Sequence, residues 1–197
     1  MIYLIEAPVD FKFKQEARYN HDLSVDMFIF RKGKYVSRNE IEKPIIFDSK
    51  ITVQEAMKFD QIINNSDSLL VNQKVIDILM KLVPEEVQFF DTEIRCKDGI
   101  ITNYKLVNVT QAVKGVDHEK SLYDKMINAD VISGFMRLKL LGNCMGDYKI
   151  ARLEESHGHI LANEEIKQAF ETARVTGLRF VTPEDYYAAT YPNYVQG

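Results

Sequence analysis

Apolar residues at positions 75, 76, 79, 82 and 83 recur at the spacing of one helix face, and Pro84 follows them where a helix must stop. Asn72 stands just before this stripe and is placed to cap it. A second stripe, Ile166, Ala169, Phe170 and Ala173, follows Asn163 as cap and Glu164 and Glu165 at the positive end of the dipole. Gly177 is placed for a left-handed C-terminal cap, after which Leu178 to Val181 returns as a strand.

Between the two helices, Val87–Cys96 and Ile101–Val109 are rich in β-branched and aromatic residues. Lys97-Asp98-Gly99 joins them, and Asp-Gly supplies a positive-φ position for a tight turn. Phe89 and Phe90 are adjacent, as are Leu106 and Val107, so the alternation is broken and a bulge or a strand covered on both faces is expected. Phe135–Leu141 and Tyr148–Leu153 read as a further antiparallel pair, connected through residues 142–147.

The first third is patterned as short strands: Ile2–Ile5, then Met27–Phe30 turned by Lys32-Gly33-Lys34 into Tyr35 and Val36, then Ile45–Phe47. Thr52–Phe59 reads as a short helix presenting Val53, Ala56 and Met57 on one side. The polar run Asn64-Asn65-Ser66-Asp67-Ser68 reads as a surface connection into the second part of the chain. The expected class is α+β, an antiparallel curved sheet with a few packed helices. Residues 1–197 are read as a single domain, with 1–68 as an N-terminal lobe or strand extension.

A length of 197 residues is enough to bury a core, and 46% hydrophobic with 27% charged residues is ordinary for a globular chain. The formal net charge of −4 gives no electrostatic footprint for nucleic acid and suits a basic partner. Glu6, Pro8 and Asp10 interrupt the apolar start before a signal-length core forms, and no stretch is long enough for a membrane-spanning helix. With only Cys96 and Cys144, neither a disulfide framework nor a zinc knuckle is indicated, and a cytoplasmic location with reduced thiols is expected.

One segment has the residue types of a metal site: Glu154-Glu155-Ser156-His157-Gly158-His159. In an extended strand His157 and His159 would share a face, and imidazole with carboxylate suits zinc or iron, as in a small metal-dependent hydrolase. A polar loop before the last helix explains the same residues. Cys96 or Cys144 with His118 or a later histidine would make a thiol–base pair, but neither lies in a nucleophile motif. Gly142 and Gly146 lack phosphate-loop spacing, and Val116-Asp117-His118-Glu119 reads as a solvated turn. No catalytic residue, metal or cofactor is assigned. Glu184, Asp185, Tyr186, Tyr187, Tyr191 and Tyr194 form an acidic, tyrosine-rich segment suited to a protein interface, or alternatively to sealing the last strand against the core.

The order of elements carries a resemblance. LLVNQKVIDILMKLVPEEVQFF from Leu69, then the long hairpin, then VTQAVKGVDHEKS, then GHILANEEIKQAFETARVTGLRF ending at Phe180 resembles the eleventh named family of immunity proteins from bacterial polymorphic-toxin systems. It covers a little over half the chain, with residues 69–182 as the family-like core and less agreement from Met1 to Phe59. The resemblance implies a protein that binds a cognate toxin and blocks it without turnover; charge and hydropathy give the expectation of no nucleic acid or membrane as partner, and monomer and homodimer both stay open.

Overall fold

The computed structural model describes residues 1–12, 15–125 and 132–187. Its strands, in chain order, are β1 (Ile2–Glu6), β2 (Ala17–Tyr19), β3 (Ile46–Ser49), β4 (Leu69–Val71), β5 (Val87–Asp91), β6 (Glu93–Arg95), β7 (Ile100–Ile101), β8 (Lys105–Val109), β9 (Ala112–Val113), β10 (Leu122–Lys125), β11 (Ile132–Arg137), β12 (Ile150–Leu153), β13 (Ile160–Asn163) and β14 (Arg179–Val181). The helices are α1 (Val53–Ala56), α2 (Gln73–Leu82) and α3 (Glu164–Thr172). This is an α+β fold, its strands distributed over four sheets: β14-β1-β13-β12-β9, β2-β3-β6-β7, β4-β8-β5 and the ribbon β10-β11. Pairing is antiparallel except for β12 with β9 and β3 with β6.

Both long helices begin where their asparagines place them. Asn72 Oδ1 accepts from the Val75 amide at 3.4 Å and Asn163 Oδ1 from the Ile166 amide at 3.0 Å. Val75, Ile76 and Leu79 of α2 and Ile166 and Phe170 of α3 then bury against β8, β12 and β13 in one apolar cluster. Every residue of β12 is buried, so it reads as an apolar run rather than an alternating one. That makes its single charged residue, Arg152, conspicuous.

The long hairpin forms and breaks in the middle of both arms. β5 pairs with β8 and β6 with β7, so the two halves of the hairpin belong to different sheets. Thr92, at the break, donates its hydroxyl to the Tyr104 carbonyl at 2.8 Å. The tip turns without a positive φ at Gly99, since the positive-φ glycines are Gly33, Gly146 and Gly177. Asp98 instead accepts the Val53 amide at 2.8 Å and so closes the start of α1. A second cluster joins this outer half of the hairpin to Ala17, Phe30, Val36, Phe47 and Ile62 of the N-terminal third.

Four expectations are corrected. Met27–Arg31 is a 3-10 turn rather than a strand, because Asp26 caps the Phe28 amide and Met27 and Phe30, three apart, bury together. Phe135–Leu141 does not pair with Tyr148–Leu153: β11 pairs with β10, and β12 lies between β13 and β9. α1 ends after four residues and Met57 is 54% exposed, so Met57 does not join the face of Ala56. Arg174, at φ 50°, takes the left-handed position after α3 that was assigned to Gly177. Gly177, at φ 92°, serves a different purpose: a Cβ there would stand 1.9 Å from the Gln61 carbonyl oxygen.

Candidate functional site

The polar run at residues 64–68 reaches the surface only at Asn65 and Asp67, because Ser66 and Ser68 are buried. Asn64 Nδ2 donates to the carbonyls of Ile62 (3.2 Å) and Ser68 (2.9 Å), while its Oδ1 accepts the Ser66 amide at 2.9 Å. Asp67 takes φ 55°, a conformation that Asp tolerates better than most residues. Short polar side chains that bond their own backbone make such a knot self-supporting.

Two arginines enter it from distant elements. Arg31, at the end of the 3-10 turn, donates to the carbonyls of Ser66 and Asn65, each at 3.1 Å, and pairs with Asp67 Oδ2 at 2.9 Å. Arg152 of β12 is completely buried. Its Nη1 donates to the carbonyls of Asp67 and His157, both at 2.8 Å, and its Nη2 to Ser68 Oγ at 2.9 Å. Its Nε has no partner among the described residues. Burial pulls its pKa down to about 10, so it keeps its charge at neutral pH.

A cleft opens beside this knot, where β1 leaves β13. Its walls include Ile5, Glu6, Gln61, Asp67, Leu69, Gly158, Ile160 and Leu178. Burial pushes the Glu6 carboxyl up to about 7, Arg179 opposes the shift, and Asp67 adds to it. Burial likewise raises Asp67 from its ordinary value, against the pull of Arg31 and Arg152. A concave site that holds carboxyls with perturbed pKa among apolar walls is the most site-like feature of the described residues.

The raised pKa has a measurable consequence. The folded chain holds the Glu6 proton more tightly than the unfolded chain, so stability falls as pH rises from the ordinary 4.5 to about 7 and stays lower above that. Glu6→Gln is therefore expected to be neutral near pH 4 and stabilising by roughly 2 kcal/mol at pH 8, allowing for solvent at the cleft mouth. Urea unfolding at the two pH values reads this directly. An equal effect at both would show that Glu6 titrates normally.

Sequence reasoning missed this cluster. One signal was present, a lone arginine inside the apolar run Ile150-Ala151-Arg152-Leu153. Glu6 gave none, since Arg179 and Asp67, the charges that act on it, are distant in sequence.

In the C-terminal segment Glu184 and Asp185 are exposed, with Glu184 paired to Lys139 at 3.1 Å. Tyr187 is half-buried, and Tyr191 and Tyr194 lie outside the described residues. Tyr186 faces inward: its hydroxyl meets His159 Nε2 at 2.8 Å and its ring stacks edge-on against Phe135 and His159. Tyr186 thus fastens the segment to the ribbon β10-β11 and to the turn before β13.

That turn corrects the histidine pair. Residues 154–158 are turn and bend rather than strand, with the His159 amide donating to the Ser156 carbonyl at 2.9 Å, so no extended backbone aligns His157 with His159. His159 also meets Ser156 Oγ through Nδ1 at 2.9 Å, which engages both ring nitrogens, and burial pulls its pKa down to about 4. Glu155 is turned away to accept the amides of Gly115 and Val116. No three histidine, cysteine, aspartate or glutamate side chains among the described residues are grouped to hold a metal ion. Burial pushes both Cys96 and Cys144 above the ordinary thiol value, the reverse of an activated thiolate. His118 meets the Tyr123 hydroxyl at 2.8 Å.

The architecture is that of an α+β protein whose charged residues knit its sheets together, with no helix among the described residues long and apolar enough to cross a membrane. The sequence profile of an immunity protein family, Imm11, matches residues 9–185, and the chain belongs to that family. The match reaches far into the N-terminal third, where less agreement was expected. No curated protein matches the chain.

Proposed function

We propose that the chain neutralises a bacterial toxin by binding it stoichiometrically and covering its working surface, without turnover. The observation that carries this reading is the family match across residues 9–185. It is supported by chemistry at the candidate groups, which are cysteines held as thiols and a buried histidine with both nitrogens engaged. In this reading the protein is part of a polymorphic toxin system, acts in the cytoplasm as one domain, and works as a monomer or homodimer.

The contact surface we propose includes Glu184, Asp185 and Tyr187, with Tyr191 and Tyr194 on the same segment. Tyr186 contributes by fastening the segment, so that the exposed acids Glu184 and Asp185 are offered at little entropic cost. A few aromatic anchors would supply affinity and the acids fast association with a basic toxin face.

Co-purification from the native cell tests it. The tagged protein is expected to retain, at a near one-to-one ratio, a toxin domain that kills when expressed alone and is harmless when expressed with this chain. Failure to retain any such domain while the toxin is being made would count against the reading.

A further inference from the structure

The cleft beside Glu6 has more acceptors than the protein supplies donors for. Among the described residues the Glu6 carboxyl makes no hydrogen bond and no ion pair. Gln61, only 7% exposed, donates its Nε2 to the Ile62 carbonyl at 3.2 Å, which fixes Oε1 as an acceptor, and that oxygen has no donor among the described residues. Asp67 forms part of the wall near Gly158, where an added Cβ would lie 3.4 Å from Oδ2. Buried acceptors without donors are costly and rare in folded chains, and Gln61 Oε1 and the half-buried Glu6 carboxyl, with the Arg31-paired Asp67 beside them, leave this cleft open to a donor from outside.

The neighbouring cations do not fill the gap. Arg152 is committed to the carbonyls of Asp67 and His157 and to Ser68. Arg31 is committed to Asn65, Ser66 and Asp67. Arg179 turns its Nε to the Ala7 carbonyl at 2.6 Å. Meanwhile Ile5, Leu69, Ile160 and Leu178 give the cleft apolar walls suited to a methylene stem.

We propose that this cleft takes an organic cation, a guanidinium or primary ammonium group on an alkyl stem, as carried by an arginine or lysine side chain of the toxin. Only the source of the cation rests on the function proposed above; the site itself does not. The incoming group donates to Glu6, Gln61 and Asp67 together, and a cation selects the ionised form of Glu6. The charged groups facing Glu6 are Asp67 from the turn before β4 and Arg179 from β14, with Arg31 and Arg152 behind Asp67. Binding therefore displaces the Glu6 proton and strengthens as pH rises.

The test uses the full chain with two probes, agmatine and the blocked tripeptide acetyl-Gly-Arg-Gly-amide, followed by amide NMR shifts at pH 8. Both are expected to saturate with Kd on the order of 1 mM, shifting the amides of Glu6, Gln61, Asp67 and Gly158. Glu6→Gln should weaken both by about tenfold or more. Wild-type affinity should fall about tenfold between pH 8 and pH 6, a readout that needs no variant. No saturation by either probe, equal affinity in Glu6→Gln, or shifts that map elsewhere would overturn the site. Saturation by agmatine but not by the tripeptide would overturn a protein side chain as the source. Saturation by both, alongside a native lysate that yields no toxin, would uphold the site and sink the immunity reading.

Discussion

Arg152→Met is expected to destabilise the fold by about 3–5 kcal/mol, the cost of removing one member of a buried ionic network. For a chain of this size that corresponds to a fall in Tm of roughly 10 °C. The size follows from what the guanidinium leaves behind. The carbonyls of Asp67 and His157 and the hydroxyl of Ser68 lose their donor, and Asp67 loses a neighbouring cation. A buried ion pair exchanged whole for apolar groups is often neutral, but here two of the three acceptors are backbone carbonyls and cannot be removed with it. Arg152→Lys should recover part of the loss only, because a single ammonium nitrogen cannot replace the two guanidinium nitrogens that reach the three acceptors. A Met variant as stable as the wild type in urea unfolding would show that the knot at residues 64–68 closes without the arginine.

The second large effect is at Gly177. Its φ of 92° already disfavours any other residue, and a Cβ would stand 1.9 Å from the Gln61 carbonyl oxygen and 2.9 Å from its carbon. Neither neighbour can yield by rotating, because both belong to a backbone fixed on each side. The Gln61 amide donates to the Thr176 carbonyl at 3.0 Å. Next to it, burial would push the Asp60 carboxyl up, but Lys74, Asn72 and Thr176 donate to it and hold it below its ordinary value. Gly177→Ala is expected to cost about 3 kcal/mol or more, from a strained backbone and a displaced strand entry together. The loss should localise, with faster amide exchange in residues 60–62 and in β14. Wild-type stability in this variant would mean that the two segments separate freely.

What was legible in the sequence was what neighbouring residues decide. Asn72 and Asn163 cap helices through amides three residues away, and Pro84 stops α2 just beyond Leu82, so both helices could be placed from spacing alone. The hairpin around Asp98-Gly99 was legible from its flanking apolar arms, although its tip turns without the positive φ that Asp-Gly suggested. Met27–Phe30 misled because its apolar residues satisfy a strand and a 3-10 turn equally, and only Asp26, bonding the Phe28 amide, chooses between them. β12 could not be paired from its own residues: its partners, β9 and β13, lie on either side of it in the chain, and one is parallel.

The cleft was illegible for a stronger reason. Glu6 and Asp67 are 61 positions apart and Arg152 a further 85, and nothing local in any of the three marks it for the others. The polar run at residues 64–68 looked like solvent-facing punctuation because its composition is that of a loop. Ser66 and Ser68 are buried instead, because Arg31 and Arg152 supply donors to the carbonyls of Asn65, Ser66 and Asp67 and make that burial tolerable. Of the C-terminal segment, composition suggested six contact residues, and the structure turns Tyr186 inward toward His159, a distinction that spacing does not carry.

The central claim is that this member of the Imm11 family acts by occupancy. Titrating purified full-length chain into its purified toxin domain, with the toxin's own activity as the readout, tests that most directly. The predicted result is a linear fall to zero activity at one equivalent of chain per toxin, with activity recovered when the complex is dissociated in denaturant and the toxin is refolded alone. Disarming of the toxin by a small fraction of an equivalent, or a loss of activity that persists after separation, would mean that the chain acts by turnover and would contradict the account.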